Sequence, residues 1–264
     1  MLEITRFETG RRIRGVLLLS GALVVLIALT MALFPSIKQA GVDLDAYVAN
    51  LPPEARRAFL GNVTTISTVE GYLVSQLYQF GWLLILGVYY GYAAASVVAR
   101  EVEDGSIELV LTSPVSRTRV VVGKYLSLLP SIVAVNALTF LAVDAAVGFV
   151  GERVDVVHLL MVHVLSVPYL LACAGLGLVA SVVSDEVRRA QTVAIGAVFG
   201  MYLVDSLTFD TDYEWLGNVA FSRYFDPGEI LIDGKVDWAG LAILVGAAVL
   251  LVVVAAELFE RRDL

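Results

Sequence analysis

Six long apolar runs, nearly free of charge, constrain this chain more than any other feature. A bilayer core about 30 Å thick is crossed by roughly 20 apolar residues in a helix. Backbone groups in lipid must bond within the chain, so runs of this length predict helices rather than alternating barrel strands. We therefore predict an all-α, polytopic membrane protein with six transmembrane helices, at residues 16–34, 77–99, 125–150, 156–184, 190–209 and 239–256.

Composition supports this class and excludes others. The chain is 58% hydrophobic and 17% charged, whereas a soluble domain is about 45–50% apolar and about 25% charged. A typical soluble enzyme is therefore excluded. A disulfide framework is excluded as well, because Cys173 is the single cysteine in the sequence.

The distribution of basic residues predicts the orientation. Of the 18 Lys and Arg residues, 12 lie in the segments on the side of the two termini. By the positive-inside rule, both termini are predicted to be cytoplasmic. The inner segments are then 1–15, 100–124, 185–189 and 257–264, and the long outer segments are 35–76 and 205–238.

The flanking segments contain local structural signals. Residues 1–15 combine Arg with apolar residues, which predicts either a segment lying in the membrane interface or a frayed basic tail. Ser67-x-x-Glu70 predicts a capping box before the second span, and Asp226-Pro227 predicts a helix start in the second outer segment.

The charge balance allows two interpretations of the environment. The net charge is −8, and only three of the basic residues are Lys. The spans predict a multi-pass protein of the cell membrane. Its acidic, Lys-poor surface indicates an organism adapted to high salt, because salt screens the repulsion between like charges. The alternative is that the acidic outer face attracts cations.

The segment between the second and third spans, residues 100–124, contains the most specific pattern. We call it the inner loop. It reads R-E-V-E-D-G-S-I-E-L from Arg100, S-P-V-S-R from Ser113, and G-K-Y from Gly123. Asp104-Gly105 predicts a helix end and Ser113-Pro114 a restart, so a short helix along the membrane surface is expected. A solvated connector is the alternative.

This pattern resembles the cytoplasmic loop of export-type (type-2) ABC-transporter permeases, and the resemblance extends over the whole chain. In that family the loop forms a coupling helix that docks on a separate ATPase subunit. The resemblance implies a second permease, either an identical copy or a related chain, and two ATPase subunits, with ATP and Mg²⁺ bound by the ATPases. It places the coupling role on Glu101, Glu103, Gly105, Glu108, Pro114 and Arg117.

The sequence lacks the motif for ATP chemistry of its own. A phosphate-binding loop requires G-x-x-x-x-G-K-[ST], but Tyr125 follows Gly123-Lys124 and Val236 follows Gly234-Lys235. We therefore expect a non-enzymatic subunit without its own cofactor, and no nucleic-acid partner. His158 and His163 have a spacing that does not suit one metal site, so we expect no metal and interpret both as packing residues.

Two intramembrane acids, Asp144 and Asp205, leave other functions open. Such residues are functional candidates by default, but both lie near the outer ends of their runs, where carboxylates can reach water. The alternatives to a permease are an ion-coupled secondary transporter that uses these acids and, less favoured, a membrane-embedded hydrolase that uses His158 or His163.

Small and aromatic residues mark a second candidate region. G-x-x-x-G patterns occur in the second and fifth spans and permit close helix approach. In the family these helices line the path between two permease copies, so the resemblance makes nearby residues candidate path residues. They are Gly87, Tyr89, Tyr90, Gly91, Tyr92, Gly196 and Gly200.

Overall fold

The computed structural model describes residues 2–39, 44–63, 65–107 and 116–262. Every regular element within these ranges is a helix, and six helical segments are long and apolar enough to cross a membrane. The predicted all-α fold with six spans is therefore confirmed. We number the spans in chain order: Ile13–Gln39, Val69–Glu103, Arg117–Phe149, Val156–Val183, Val187–Thr208 and Trp238–Glu260.

Span 1 belongs to a single helix, Leu2–Gln39, which continues through Pro35. Residues 2–15 are therefore the inner part of the same helix. The outer end extends beyond the predicted boundary at residue 34. Span 1 packs mainly against span 3 and lies at the edge of the bundle.

Span 2 begins earlier than predicted and is not a uniform α-helix. The Thr68 hydroxyl accepts a hydrogen bond from Gly71 N at 3.2 Å, so Thr68 is the N-cap and the prediction of Ser67 was wrong by one residue. After one α-helical turn, Val74–Leu86 is a π-helix. The span then continues as the α-helices Gly87–Ala95 and Ala99–Glu103.

Span 3 consists of two helices, Arg117–Leu126 and Leu129–Phe149. The break has a covalent cause: Pro130 has no N–H to donate to the carbonyl four residues earlier. Pro130 instead occupies the first turn of the second helix. The last residues of the predicted inner loop, from Arg117 on, are thus already helical.

Spans 4, 5 and 6 are continuous helices. Asp155 caps span 4, because its Oδ1 accepts from Val157 N and His158 N at 2.8 and 3.1 Å. Asp226 caps the short outer helix Pro227–Asp233 as predicted. The other outer elements are the helices Leu44–Ala49 and Pro53–Leu60 and the 3₁₀-helices Glu214–Val219 and Phe221–Tyr224.

Span 4 is the centre of the bundle and packs against spans 2, 3, 5 and 6. The largest fully buried side chains include Trp82, Tyr78 and Tyr90 of span 2 and Tyr169 of span 4. Trp215 and Trp238 are instead exposed on the outer side, as expected for an interfacial aromatic belt.

Candidate functional site

The inner loop leaves span 2 at a glycine. The helix ends at Glu103, and Gly105 has φ +68°, a left-handed conformation that favours glycine. The chain re-enters the membrane at Arg117, where the Ser116 hydroxyl accepts from Arg119 N at 3.3 Å. The predicted helix end at Asp104-Gly105 is therefore confirmed, whereas the predicted restart at Ser113-Pro114 lies outside the described residues. Glu108, Pro114 and the expected surface helix lie outside the described residues.

Glu101 connects span 2 to span 3. Its Oε1 lies 2.5 Å from Lys124 Nζ, and the lysine side chain is only 4% exposed. A lysine is rarely buried unless its charge is paired. The sequence analysis named Glu101 but missed Lys124, which it placed as the last residue of the inner loop, next to the start of predicted span 3.

Glu103 connects the end of span 2 to the start of span 5. Its Oε2 accepts a hydrogen bond from Val187 N at 2.7 Å. The first N–H groups of a helix have no partner within the helix, and the N-terminus attracts negative charge. Glu103 thus satisfies a helix end that belongs to another span.

Arg117 connects span 3 to the end of span 6. Its guanidinium donates to the carbonyls of Phe259 and Arg262 and lies 5.8 Å from the Phe259 ring centroid. A cation at a helix C-terminus is favourable because the carbonyls there are unpaired. Glu101, Glu103 and Arg117 of the predicted coupling set therefore contact three different spans: span 3, span 5 and span 6.

Two further contacts at this end were missed. The Ser181 hydroxyl of span 4 accepts from Val98 N and Ala99 N, both at 3.0 Å, where span 2 is irregular. Arg262 donates to the carbonyls of Val182 and Ser184 at the end of span 4. The inner ends of spans 2, 4 and 6 are thus bonded to one another.

The glycines of span 2 lie where this span closely approaches spans 4 and 5. A Cβ at Gly87 would lie 2.7 Å from the Tyr169 hydroxyl, and one at Gly91 would lie 3.2 Å from a Val198 methyl. Gly177 of span 4, which the sequence analysis missed, is tighter still: a Cβ there would lie 2.0 Å from Gly91 O. These glycines permit packing within the chain.

The remaining candidate path residues divide by exposure. Tyr90 is fully buried and its hydroxyl lies 3.2 Å from Ser131 Oγ, so it belongs to the interior of the chain. Tyr89 is half-buried, and Tyr92 is exposed. A Cβ at Gly196 or at Gly200 would meet no atom of another described segment within 4 Å, so this face of span 5 is open.

The outer end contains a cluster of charges that we call the outer ion cluster: Arg57, Asp205, Glu214, Arg223 and Asp226. Asp205 is buried, and its Oδ2 lies 3.1 Å from Arg57 Nη2, while its Oδ1 lies 3.6 Å from Arg223 Nη1. Arg223 also lies 2.6 Å from Glu214, and Arg57 lies 4.0 Å from Asp226.

The environment of Asp205 corrects its sequence interpretation. We expected this carboxylate to reach water at the outer end of span 5, but the outer segments fold over it and pair it with arginines from both. Asp144, in contrast, is exposed. A buried carboxylate that is already paired gives no support to the ion-coupled alternative.

The two histidines of span 4 contact backbone carbonyls. His158 Nδ1 lies 3.3 Å from Leu231 O, and His163 Nδ1 lies 2.9 Å from Leu159 O. Within the described ranges, no group of three or more His, Cys, Asp and Glu side chains is arranged to hold a metal ion. The arrangement gives no support to the membrane-hydrolase alternative.

Comparison with known families agrees with this architecture. The sequence profile described as "ABC-2 family transporter protein" matches residues 3–264. The chain belongs to the ABC-2 transporter family. Comparison with curated proteins returns no match. As an ABC-2 family member, the chain is a multi-pass permease subunit of an ABC transporter, a transport component whose family implies association with an ABC ATPase.

Proposed function

We propose that this permease is the membrane subunit of an ATP-driven exporter and that a separate ATPase subunit docks on its inner loop, residues 100–124. The observation that carries the proposal is the set of contacts made by Glu101, Glu103 and Arg117. They join the two ends of the loop to spans 3, 5 and 6. A displacement of the loop would therefore be passed to most of the bundle.

In this proposal the ATPase subunits supply ATP, Mg²⁺ and the hydrolysis that drives the cycle. The permease contributes an acidic, exposed loop surface. Glu103 and Asp104 are exposed at the end of span 2, and the next described residues, up to Ile107, add no positive charge. A basic surface on the ATPase would complement this part of the loop.

We further propose that two permease copies pair through the open face of span 5. This face contains Gly196 and Gly200, which have free space around them, together with exposed Ile195 and Phe199. Small residues let helix backbones approach closely in lipid. Exposed Tyr92 remains a candidate for the solute route, whereas buried Tyr90 and the packed Gly87 and Gly91 hold the chain together.

The acidic, Lys-poor composition supports a further part of the proposal, that the complex works in the cell membrane of an organism adapted to high salt.

The solute and the direction of transport are tested in vesicles that contain the permease. ATP-dependent flux with an ATPase bound supports the exporter. Flux driven by a proton or sodium gradient, with no ATPase present, contradicts it and favours the ion-coupled alternative.

The docking site is tested by charge reversal. Asp104→Arg should abolish co-purification of the ATPase subunit, because Asp104 is exposed on the loop and forms no ion pair with any other described residue. Glu257→Arg is the control, since Glu257 is also exposed and inner but lies on span 6, where it forms a surface ion pair with Arg261 of the same helix, and exposed pairs of this kind contribute little to stability. Retention of the ATPase by the Asp104 variant, or its equal loss from both variants, contradicts docking on this loop.

A second variant separates docking from coupling. Replacing Glu101, Glu103 and Glu108 together by Ala should reduce ATP-driven transport more than it reduces ATPase binding, because Asp104 keeps its charge on the docking surface. Thermal unfolding of the permease alone checks that the spans remain folded. Unchanged ATP-driven transport in this variant would count against the role of these acids in coupling.

A further inference from the structure

A short outer helix, Pro53–Leu60, lies across the outer ends of spans 2 and 5 and packs against both. We call it the outer strap. Span 2 holds Tyr92 and span 5 holds the open face with Gly196 and Gly200, to which the proposed function assigns the solute route and the pairing of copies. The outer strap therefore covers the outer ends of the two spans most involved in that function.

Polar side chains of spans 2 and 5 hold the outer strap. Gln79 Nε2 of span 2 donates to the carbonyl of Arg57 at 3.1 Å. On span 5, the Tyr202 hydroxyl donates to the carbonyl of Ala58, and Asp205 Oδ2 lies 3.1 Å from Arg57 Nη2. These contacts fix the outer strap to both spans through two adjacent residues, Arg57 and Ala58.

Apolar packing contributes little to this attachment. Arg57 and Leu60 are the buried residues of the outer strap, and Phe59 between them is 61% exposed. Few buried apolar contacts place a segment among the parts of a protein that open most easily. The outer strap is therefore suited to move as a unit while the spans beneath it remain folded.

The ion pair that holds the outer strap is incompletely satisfied. Arg57 Nε and Asp205 Oδ1 are both enclosed without a hydrogen-bond partner, although Oδ1 lies 3.6 Å from Arg223 Nη1. Burial removes the hydration of the charges, and this cost offsets much of their attraction. Both groups regain water when the outer strap lifts, so separation of this pair costs less than separation of apolar side chains in the same place.

We propose that the outer strap is the outer gate of this exporter and that separation of Arg57 from Asp205 opens it in each transport cycle. The inference rests on the proposed function, because ATP turnover at the inner loop supplies the work. Span 2 connects the two sites: Gln79 contacts the outer strap, and Glu101 and Glu103 make the contacts assigned to coupling. A displacement of this span would reach both.

The first test uses a buried thiol. In a Cys173→Ala background, Leu60→Cys places a thiol on the buried side of the outer strap, and Phe59→Cys places a control thiol on its exposed side. Each permease, in nanodiscs with its co-purified ATPase, is treated with a membrane-impermeant maleimide with and without Mg-ATP. The thiol at position 60 should be labelled about 10-fold faster during ATP turnover, because labelling follows the population of the open form. The rate at position 59 should not change.

The second test replaces the ion pair by apolar side chains. In the double variant Arg57→Met, Asp205→Leu, Arg223 keeps Glu214 as its counter-charge at 2.6 Å. An apolar pair gains no hydration on separation, so the outer strap should stay closed. ATP-driven flux should fall at least about 5-fold while the thermal unfolding temperature is unchanged or higher, as is common when buried ion pairs are replaced in this way.

A surface ion pair provides the matched control. Lys38→Met with Glu152→Leu removes an outer ion pair that joins spans 1 and 3. It leaves the outer strap in place, so ATP-driven flux should equal that of the parent protein.

Equal labelling of position 60 with and without Mg-ATP, in a protein that carries out ATP-driven flux, overturns the gate and leaves the proposed function standing. Flux equal to the parent's in the apolar double variant also overturns it. Absence of ATP-driven flux from the parent protein contradicts the proposed function and, with it, this inference. The labelling test keeps the ion pair intact, so it decides the question however well the double variant folds.

Discussion

The two ends of the bundle are held together by different kinds of contact. At the outer end, Arg57 and Arg223 share a single buried carboxylate, that of Asp205. At the inner end, Glu101, Glu103 and Arg117 make separate contacts with three different spans. One substitution can unbalance the whole outer ion cluster, whereas the inner contacts can be removed one at a time. We therefore expect that a partner bound at the inner end can alter these contacts one at a time.

The largest effect is expected at Asp205. Asp205→Ala leaves the buried guanidinium of Arg57 without its nearest counter-charge, which should lower the free energy of unfolding by about 3–5 kcal/mol. Thermal unfolding in detergent measures this. The control is Asp144→Ala, because Asp144 is exposed and its loss should change stability by no more than about 0.5 kcal/mol. Equal effects would contradict the role of Asp205 as the buried carboxylate that the two arginines share.

A smaller effect is expected for the buried lysine of the inner end. Lys124→Met leaves Glu101 unpaired and should cost about 1–3 kcal/mol, less than at Asp205 because Glu101 is partly exposed. The double variant with Glu101→Leu should recover part of the loss, since it removes both charges. A double variant less stable than either single variant would show that the pair is not the source of the effect.

The contact of Glu103 should contribute less again. Glu103→Gln keeps the side-chain length but removes the charge at the start of span 5, and should cost about 0.3–1 kcal/mol. Faster hydrogen exchange at the Val187 amide is the direct measurement. Asp104→Asn, a neutralisation one residue later, should leave that amide unchanged; equal exchange in both variants would contradict the contact.

The smallest effect is a pH dependence in the first outer segment. The Thr65 hydroxyl and Ile66 N donate to Asp45 at 2.8 and 3.0 Å, and these hydrogen bonds lower the pKa of Asp45 below its usual value. The contribution is therefore fully present above the unfolded pKa of about 3.9 and is lost as pH falls through the lower folded pKa.

Hydrogen exchange at the Ile66 amide, followed from neutral to acid pH, measures the Asp45 contact. Protection should decrease in acid in the parent protein, and the Asp45→Asn variant should lack this pH dependence. A pH dependence of equal size in both proteins would assign it to another group.

The fold was predictable because its signals are local. Apolar runs locate all six spans, Asp226 caps a helix as its position indicated, and Gly105 ends span 2. Hydropathy could not locate the start of span 2, because the helix extends from Thr68 through residues that read as an outer segment.

The contacts around the candidate site could not be predicted in the same way. Glu103 contacts Val187, and Arg117 contacts Phe259, so each pair is separated by many residues and depends on how the spans pack. Asp205 was assigned to the membrane surface because its position in the run is terminal, but burial there depends on outer segments that fold back over it. The periodicity and spacing of residues in the sequence do not indicate that the outer segments fold over Asp205.

The π-helix of span 2 has a consequence for how motion would travel through the chain. In Val74–Leu86, which is 13 residues long, each turn holds more residues than an α-turn. If one of these π-helical turns became an α-helical turn, with hydrogen bonds between residues i and i+4, it would hold fewer residues. The inner half of span 2 would then rotate relative to the outer half. Gly91 would then leave its position beside Gly177, and the close contact between these two glycines would be lost.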